Sequence, residues 1–106
     1  MLLLYMQQTV HIIESIQNNS QMLKRDFVLD HLYLYGSFSR NMQNELSDLD
    51  LAYELIPGHK MTLKRLNKLE SVLQEITQIG KIELVGKNNL NPIVQSHAES
   101  DIFQLF

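Results

Sequence analysis

The chain has 106 residues, of which 44% are hydrophobic and 20% charged, an ordinary globular balance that predicts one domain over residues 1–106 and argues against disorder. Nine Lys and Arg against twelve Asp and Glu leave a net charge of −3, which counts against a nucleic-acid partner because a phosphate backbone calls for a basic footprint. The absence of cysteine excludes disulfides and thiolate zinc sites. The opening Met1 to Met6 is apolar but has no basic lead and gives way to two glutamines, so neither a signal peptide nor a membrane span is expected. Asn18-Asn19-Ser20 matches a glycosylation pattern by accident, and the expected location is cytoplasmic.

In chain order, Val10, Ile13, Ile16, Ser20, Leu23 and Phe27 recur at helical steps and predict one helix from about Thr9 to Asp26. His31 to Tyr35 reads as a buried strand, and Phe38 to Gln43 as a short helix that starts on the Gly36-Ser37 turn. Asp48 to Leu55 reads as a second strand that stops at Pro57-Gly58. Leu63, Leu66, Leu69, Val72, Leu73 and Ile76 mark a helix from about Met61 to Gln78, closed by Gly80. Lys81 to Val85 is a third strand, Pro92 suits the first turn of a short helix, and Ile102 to Phe106 alternates like a last strand. The order predicts an α/β (α+β) fold with a small mixed sheet and helices packed on it.

The residues that carry chemistry are Gly36-Ser37-Phe38-Ser39-Arg40 and, with ten residues between Ser37 and its first acid, Asp48-Leu49-Asp50. Glycine lets a phosphate approach the backbone, and Ser37 falls where a following helix would present free N–H groups and a positive dipole end to an anion. Arg40, three positions after Ser37, shares a helical face with it and could reach the same phosphates. On a strand Asp48 and Asp50 project to one side, where they repel until a cation intervenes. Mg²⁺ suits one or two protein carboxylates completed by water and substrate phosphate.

This pattern resembles the signature of the nucleotidyltransferase superfamily whose fold is shared with DNA polymerase beta and kanamycin nucleotidyltransferase. With Ser47 before the acids, the fuller form is closest to the minimal nucleotidyltransferases, the antitoxin half of HEPN–minimal-nucleotidyltransferase pairs. The resemblance implies ATP as substrate with Mg²⁺, and Gly36, Ser37, Arg40 and Ser47 at the nucleotide. It implies Asp48 and Asp50 as metal-binding catalytic acids, and a third carboxylate on the next strand. That third position is most often aspartate in the family, and here it is Glu83, in an otherwise apolar run; the resemblance implies Glu83 as a catalytic acid acting on the acceptor hydroxyl as metal ligand or base. The implied activity is transfer of AMP to a hydroxyl, a tyrosine of a partner HEPN ribonuclease toxin.

Two other readings stay open. A small-molecule acceptor fits poorly with so short a chain, which has no second lobe to close a pocket. A contact-only antitoxin with a weakened site is kept alive by the glutamate at position 83. The histidines His11, His31, His59 and His97 lack ligand spacing, and Lys60, Lys64 and Lys68 form a stripe that reads as a solvated face able to dock an acidic partner.

Overall fold

The computed structural model of the chain describes residues 2–36, 48–89 and 102–106, residues 2–6 by backbone alone. Its elements are α1 (Leu2–Asn18), α2 (Ser20–Phe27), β1 (Leu29–Tyr35), β2 (Leu49–Leu55), α3 (Leu63–Thr77), β3 (Ile82–Gly86), a single 3₁₀ turn (Lys87–Asn89) and β4 (Phe103–Gln104). The helices expected over Phe38 to Gln43 and after Pro92 lie outside the described residues.

The four strands form one mixed sheet in the order β3-β2-β1-β4. β1 runs antiparallel to β2 and to β4, whereas β2 and β3 are parallel, joined through α3. Side-chain alternation sorts the sheet into two faces. Leu32 and Leu34 of β1, Leu49 and Leu51 of β2 and Leu105 meet Ile12, Ile16, Leu23, Phe27, Leu69 and Leu73 of the three helices in one buried core. On the other face Tyr33, Tyr35 and Ala52 form a smaller cluster with Val85 and Ile102. The helices therefore cover one face and leave the other to the polar chemistry described below. A shift in register between Leu29 and His31 lets Leu29 join the helix-side core as well.

The structure departs from the periodicity in several places. The first helix is two. At Asn19, φ −106° and ψ 12° leave the helical region, and its side-chain amide donates to the Ser15 carbonyl at 2.7 Å. Asn and Ser at positions 18–20 compete for backbone groups in this way, so the helical repeat runs through a break. Val10, assigned to the buried face, is 52% exposed, and Ile12 is buried in its place.

The third helix starts as a capped element, Thr62 accepting from the Arg65 N–H at 3.1 Å. Its end is set by Gln78 rather than Gly80: Gln78 takes a left-handed φ of 61° and its N–H donates to the Gln74 carbonyl at 2.9 Å. Gly80 lies beyond that cap and instead accepts from the Gln74 side chain at 2.8 Å. Leu63, read as a core position, is 73% exposed in the first turn. The last strand shrinks to Phe103–Gln104, although Leu105 still donates to the Leu32 carbonyl at 2.8 Å.

A left-handed residue with a Cβ costs about 1–2 kcal/mol, part of which glycine returns as unfolded-state entropy. Gln78→Gly should therefore stabilise the chain by about 0.5–1 kcal/mol, seen as a Tm higher by roughly 2–6 °C in calorimetry. An unchanged or lower Tm would mean that Gln78 does not form the cap.

Candidate functional site

Because Leu49 and Leu51 are fully buried on the helix side, the pleat forces Asp50 to the opposite face and sets Asp48, just before β2, on the same side. On the neighbouring strand Ile82 and Leu84 pack toward the helix-side core and Glu83 points the other way. Strand register then aligns Tyr35 with Asp50 and Asp50 with Glu83, a row across β1, β2 and β3. The structure thus brings together Gly36, Asp50 and Glu83 at one end of the sheet, with Asp48 exposed at the rim. Ser37, Arg40 and Ser47 lie outside the described residues.

Gly36 ends β1 with φ +75°, a conformation that disfavours a side chain, and a Cβ there would collide with Oδ2 of Asp50. In this structure the space over Gly36 belongs to the Asp50 carboxyl group. Burial is the main reason that this carboxyl is pushed up to about 7, followed by its hydrogen bond to Glu83 and the charges of Glu83 and Asp48. Two acid side chains that share a proton have oxygens converging on one point, which a divalent cation can occupy instead. Among the described residues no group of three or more His, Cys, Asp and Glu is arranged to hold a metal ion. The pair of converging oxygens fits a hard divalent cation such as Mg²⁺, which takes few protein carboxylates.

The row also contains a group that motif reading passes over. Tyr35 is 9% exposed, and its phenol is pushed up to about 12 by burial and then by the negative charges of Asp50 and Glu83. The signal was its place immediately before Gly36, two residues from Tyr33 on the same strand face. Farther along that face a second polar cluster forms, which the spacing of motifs did not indicate. The Tyr33 hydroxyl donates to Glu54, and Lys87 lies 3.6 Å from the same carboxylate and 4.4 Å above the Tyr33 ring. The Tyr33 bond, ahead of the Lys87 charge, lowers the Glu54 carboxyl below its ordinary range.

Residues 12–104 match the polymerase beta nucleotidyltransferase family. The chain belongs to that family. A relative from Methanocaldococcus jannaschii, provisionally named a protein adenylyltransferase, is 30% identical over 95 residues, 89% of this chain and 94% of that protein. A second protein of the same name and organism is 28% identical over the same shares. Among solved structures, a provisionally named minimal nucleotidyltransferase superposes with a TM-score of 0.67 at 20% identity, over 85% of this chain and 89% of that one. A chain of a toxin–antitoxin complex with AMP-PNP gives 0.65 at 23% identity, covering 85% and 72%. A complex of a tri-AMPylated Shewanella oneidensis HEPN toxin with its MNT antitoxin gives 0.60 at 20% identity, covering 89% and 71%. At these identities the structural likeness shows the fold, and it is the small mixed-sheet fold of the minimal nucleotidyltransferases.

The free nucleotidyltransferase should show the proton held by Asp50. Its folded pKa of about 7 lies above the unfolded value near 3.9, so the stability it contributes is complete below about pH 4 and is lost as pH rises through 7. Thermal unfolding without divalent ions should therefore give a Tm that falls more between pH 5 and 8 for the parent than for Asp50→Asn. Parallel profiles would mean that Asp50 is already ionised in the free chain.

Proposed function

We propose that this nucleotidyltransferase moves AMP from ATP to a tyrosine hydroxyl of a HEPN-family toxin, silencing it, in a Mg²⁺-dependent reaction in the cytoplasm. The observation that carries the reading is the convergence of Asp50 and Glu83 beside Gly36, in the strand register of a family fold that spans most of the chain. The names of the Methanocaldococcus relatives support transfer to a protein, and the AMP-PNP and AMPylated-toxin complexes of the structural neighbours support ATP and the toxin.

In this reading Gly36, Ser37, Arg40 and Ser47 bind the triphosphate, and Asp48 and Asp50 hold Mg²⁺. Bound there, the cation supplies charge neutralisation and orientation of the phosphates. Glu83, exposed on the adjacent strand, would act on the acceptor hydroxyl as a metal ligand or as the base that takes up its proton. The hydroxyl oxygen forms a bond to the α-phosphorus, the bond from that phosphorus to the bridging oxygen breaks, and pyrophosphate leaves. Asp50 must give up its place over Gly36 and its shared proton when the nucleotide and metal enter. The chain's contribution is positioning and charge, with no covalent enzyme intermediate.

Two substitutions separate the steps. Asp48→Asn with Asp50→Asn should weaken Mg²⁺-dependent ATP binding tenfold or more, about 1.4 kcal/mol, in calorimetry. Glu83→Gln should leave ATP binding intact and lower transfer of labelled AMP to the toxin by about 10²-fold. Toxin neutralisation that persists in cells without any transfer would instead establish an antitoxin that acts by contact.

A further inference from the structure

The acids gather at one end of the sheet, and the cations gather elsewhere. Of the nine Lys and Arg in the chain, six are Lys24 and Arg25 at the end of α2 and Lys60, Lys64, Arg65 and Lys68 at the start of α3. The two on α2 serve the fold. They lie in its last turn, where the helix dipole welcomes positive charge, Arg25 pairs with Asp26 at 3.0 Å, and Lys24 sits 5.5 Å from the centre of the Phe106 ring.

At the start of α3 Arg65 braces the approach to the helix by donating to the Lys60 carbonyl at 2.7 Å, but the charges around it are badly placed for folding. The first turn of that helix contains no acid, and Lys64, Arg65 and Lys68 occupy its first two turns, where the dipole repels cations. Lys64 and Arg65 stand four and three residues from Lys68, spacings at which like charges also repel. Among the described residues no ion pair reaches Lys60, Lys64, Arg65 or Lys68. Leu63 stands in their midst at 73% exposure, and Ile56, at the end of the preceding strand, is 39% exposed. A hollow of about 230 Å³ between the helices is lined by Asp26, Phe27, Thr62, Lys64, Arg65 and Lys68. Among the described residues the charges of Lys60, Lys64 and Lys68 have no ion-pair partner and Leu63 no burial that would explain them by the fold.

We infer that the basic first turns of α3, flanked by the exposed Leu63, are the docking surface for an acidic patch on a protein partner, with a partner carboxylate entering the hollow beside Lys64 and Lys68. An exposed leucine beside a basic stripe suits a protein, which can offer a pocket to the leucine and carboxylates to the lysines. Single-stranded nucleic acid is instead gripped by stacked aromatic rings along a basic groove. Here the aromatic side chain lining the hollow, Phe27, is buried, and the net charge of −3 repels a long polyanion. The inference rests on the proposed function in one respect, the choice of the toxin as partner.

The test measures binding of the full chain to the HEPN toxin of its own operon at 50 and 300 mM NaCl, for the parent, for Lys60→Glu/Lys64→Glu/Lys68→Glu and for the milder Lys64→Ala/Lys68→Ala. The parent complex should weaken with salt. The reversed variant should bind at least tenfold more weakly with a flatter salt dependence, and the alanine pair should shift in the same direction. ATP binding and Tm should stay at parent values in both, which separates a lost docking face from a lost fold or a lost active site. Toxin affinity unchanged in both variants overturns the docking surface while leaving the transferase reading intact. Tight binding of a 20-nucleotide RNA by the parent, lost on charge reversal while toxin affinity is kept, overturns it in favour of nucleic acid. Failure of the parent to bind the toxin at all overturns the surface together with the choice of partner, and ATP binding then decides whether the transferase chemistry survives.

Discussion

The site depends on the register of β2. Leu49 and Leu51 are fully buried under the helices, and burying each is worth about 1.5–3 kcal/mol. A slip of one residue would expose both leucines and drive Asp48 and Asp50 toward the core, where an unpaired carboxylate costs several kcal/mol more. Alternation thus fixes the acids on the face opposite α1, α2 and α3 with a margin comparable to the whole stability of a small domain. The parallel pairing to β3 carries the same logic across, since Ile82 and Leu84 pack on the helix side and leave Glu83 opposite Asp50.

That arrangement stores a conflict. Asp50 and Glu83 are brought together although both are acids, and burial, with the neighbouring Glu83, pushes the Asp50 carboxyl up to about 7. Gly36 makes the conflict possible at all, because any side chain there would take the room that the Asp50 carboxyl uses. A glycine chosen only for a tight turn could be replaced by asparagine at modest cost, whereas this one is also constrained by its neighbour across the sheet. The glycine of the motif therefore answers to a carboxylate on the neighbouring strand and not only to its own turn.

What the sequence makes legible follows the range of each interaction. The strands over 31–35 and 48–55, the helix over 61–78 and the side-by-side placement of Asp48 and Asp50 rest on local alternation, and the structure reproduces them within a few residues. The break at Asn19 depends on one side chain choosing the Ser15 carbonyl, a competition that an apolar repeat does not register. Gln78 displaces Gly80 as the cap because helix length is settled by packing of Leu69 and Leu73 on the sheet, not by the nearest glycine. Tyr35 escaped notice for a different reason. Its relation to Asp50 and Glu83 exists only once three strands are aligned, and no spacing within one segment encodes that.

The two faces of the sheet also divide the labour of burial. The helix side is built of leucine, isoleucine and phenylalanine, which pack without polar demands, whereas the opposite face interposes Tyr33, Tyr35 and Ala52 between the acids at one end and Glu54 with Lys87 at the other. Tyrosine suits that strip because its ring fills a buried cluster while its hydroxyl meets a charged group, as Tyr33 does with Glu54. The strip sets the local dielectric: a buried phenol beside Asp50 removes water from one side of the carboxyl group and so raises the cost of ionising it.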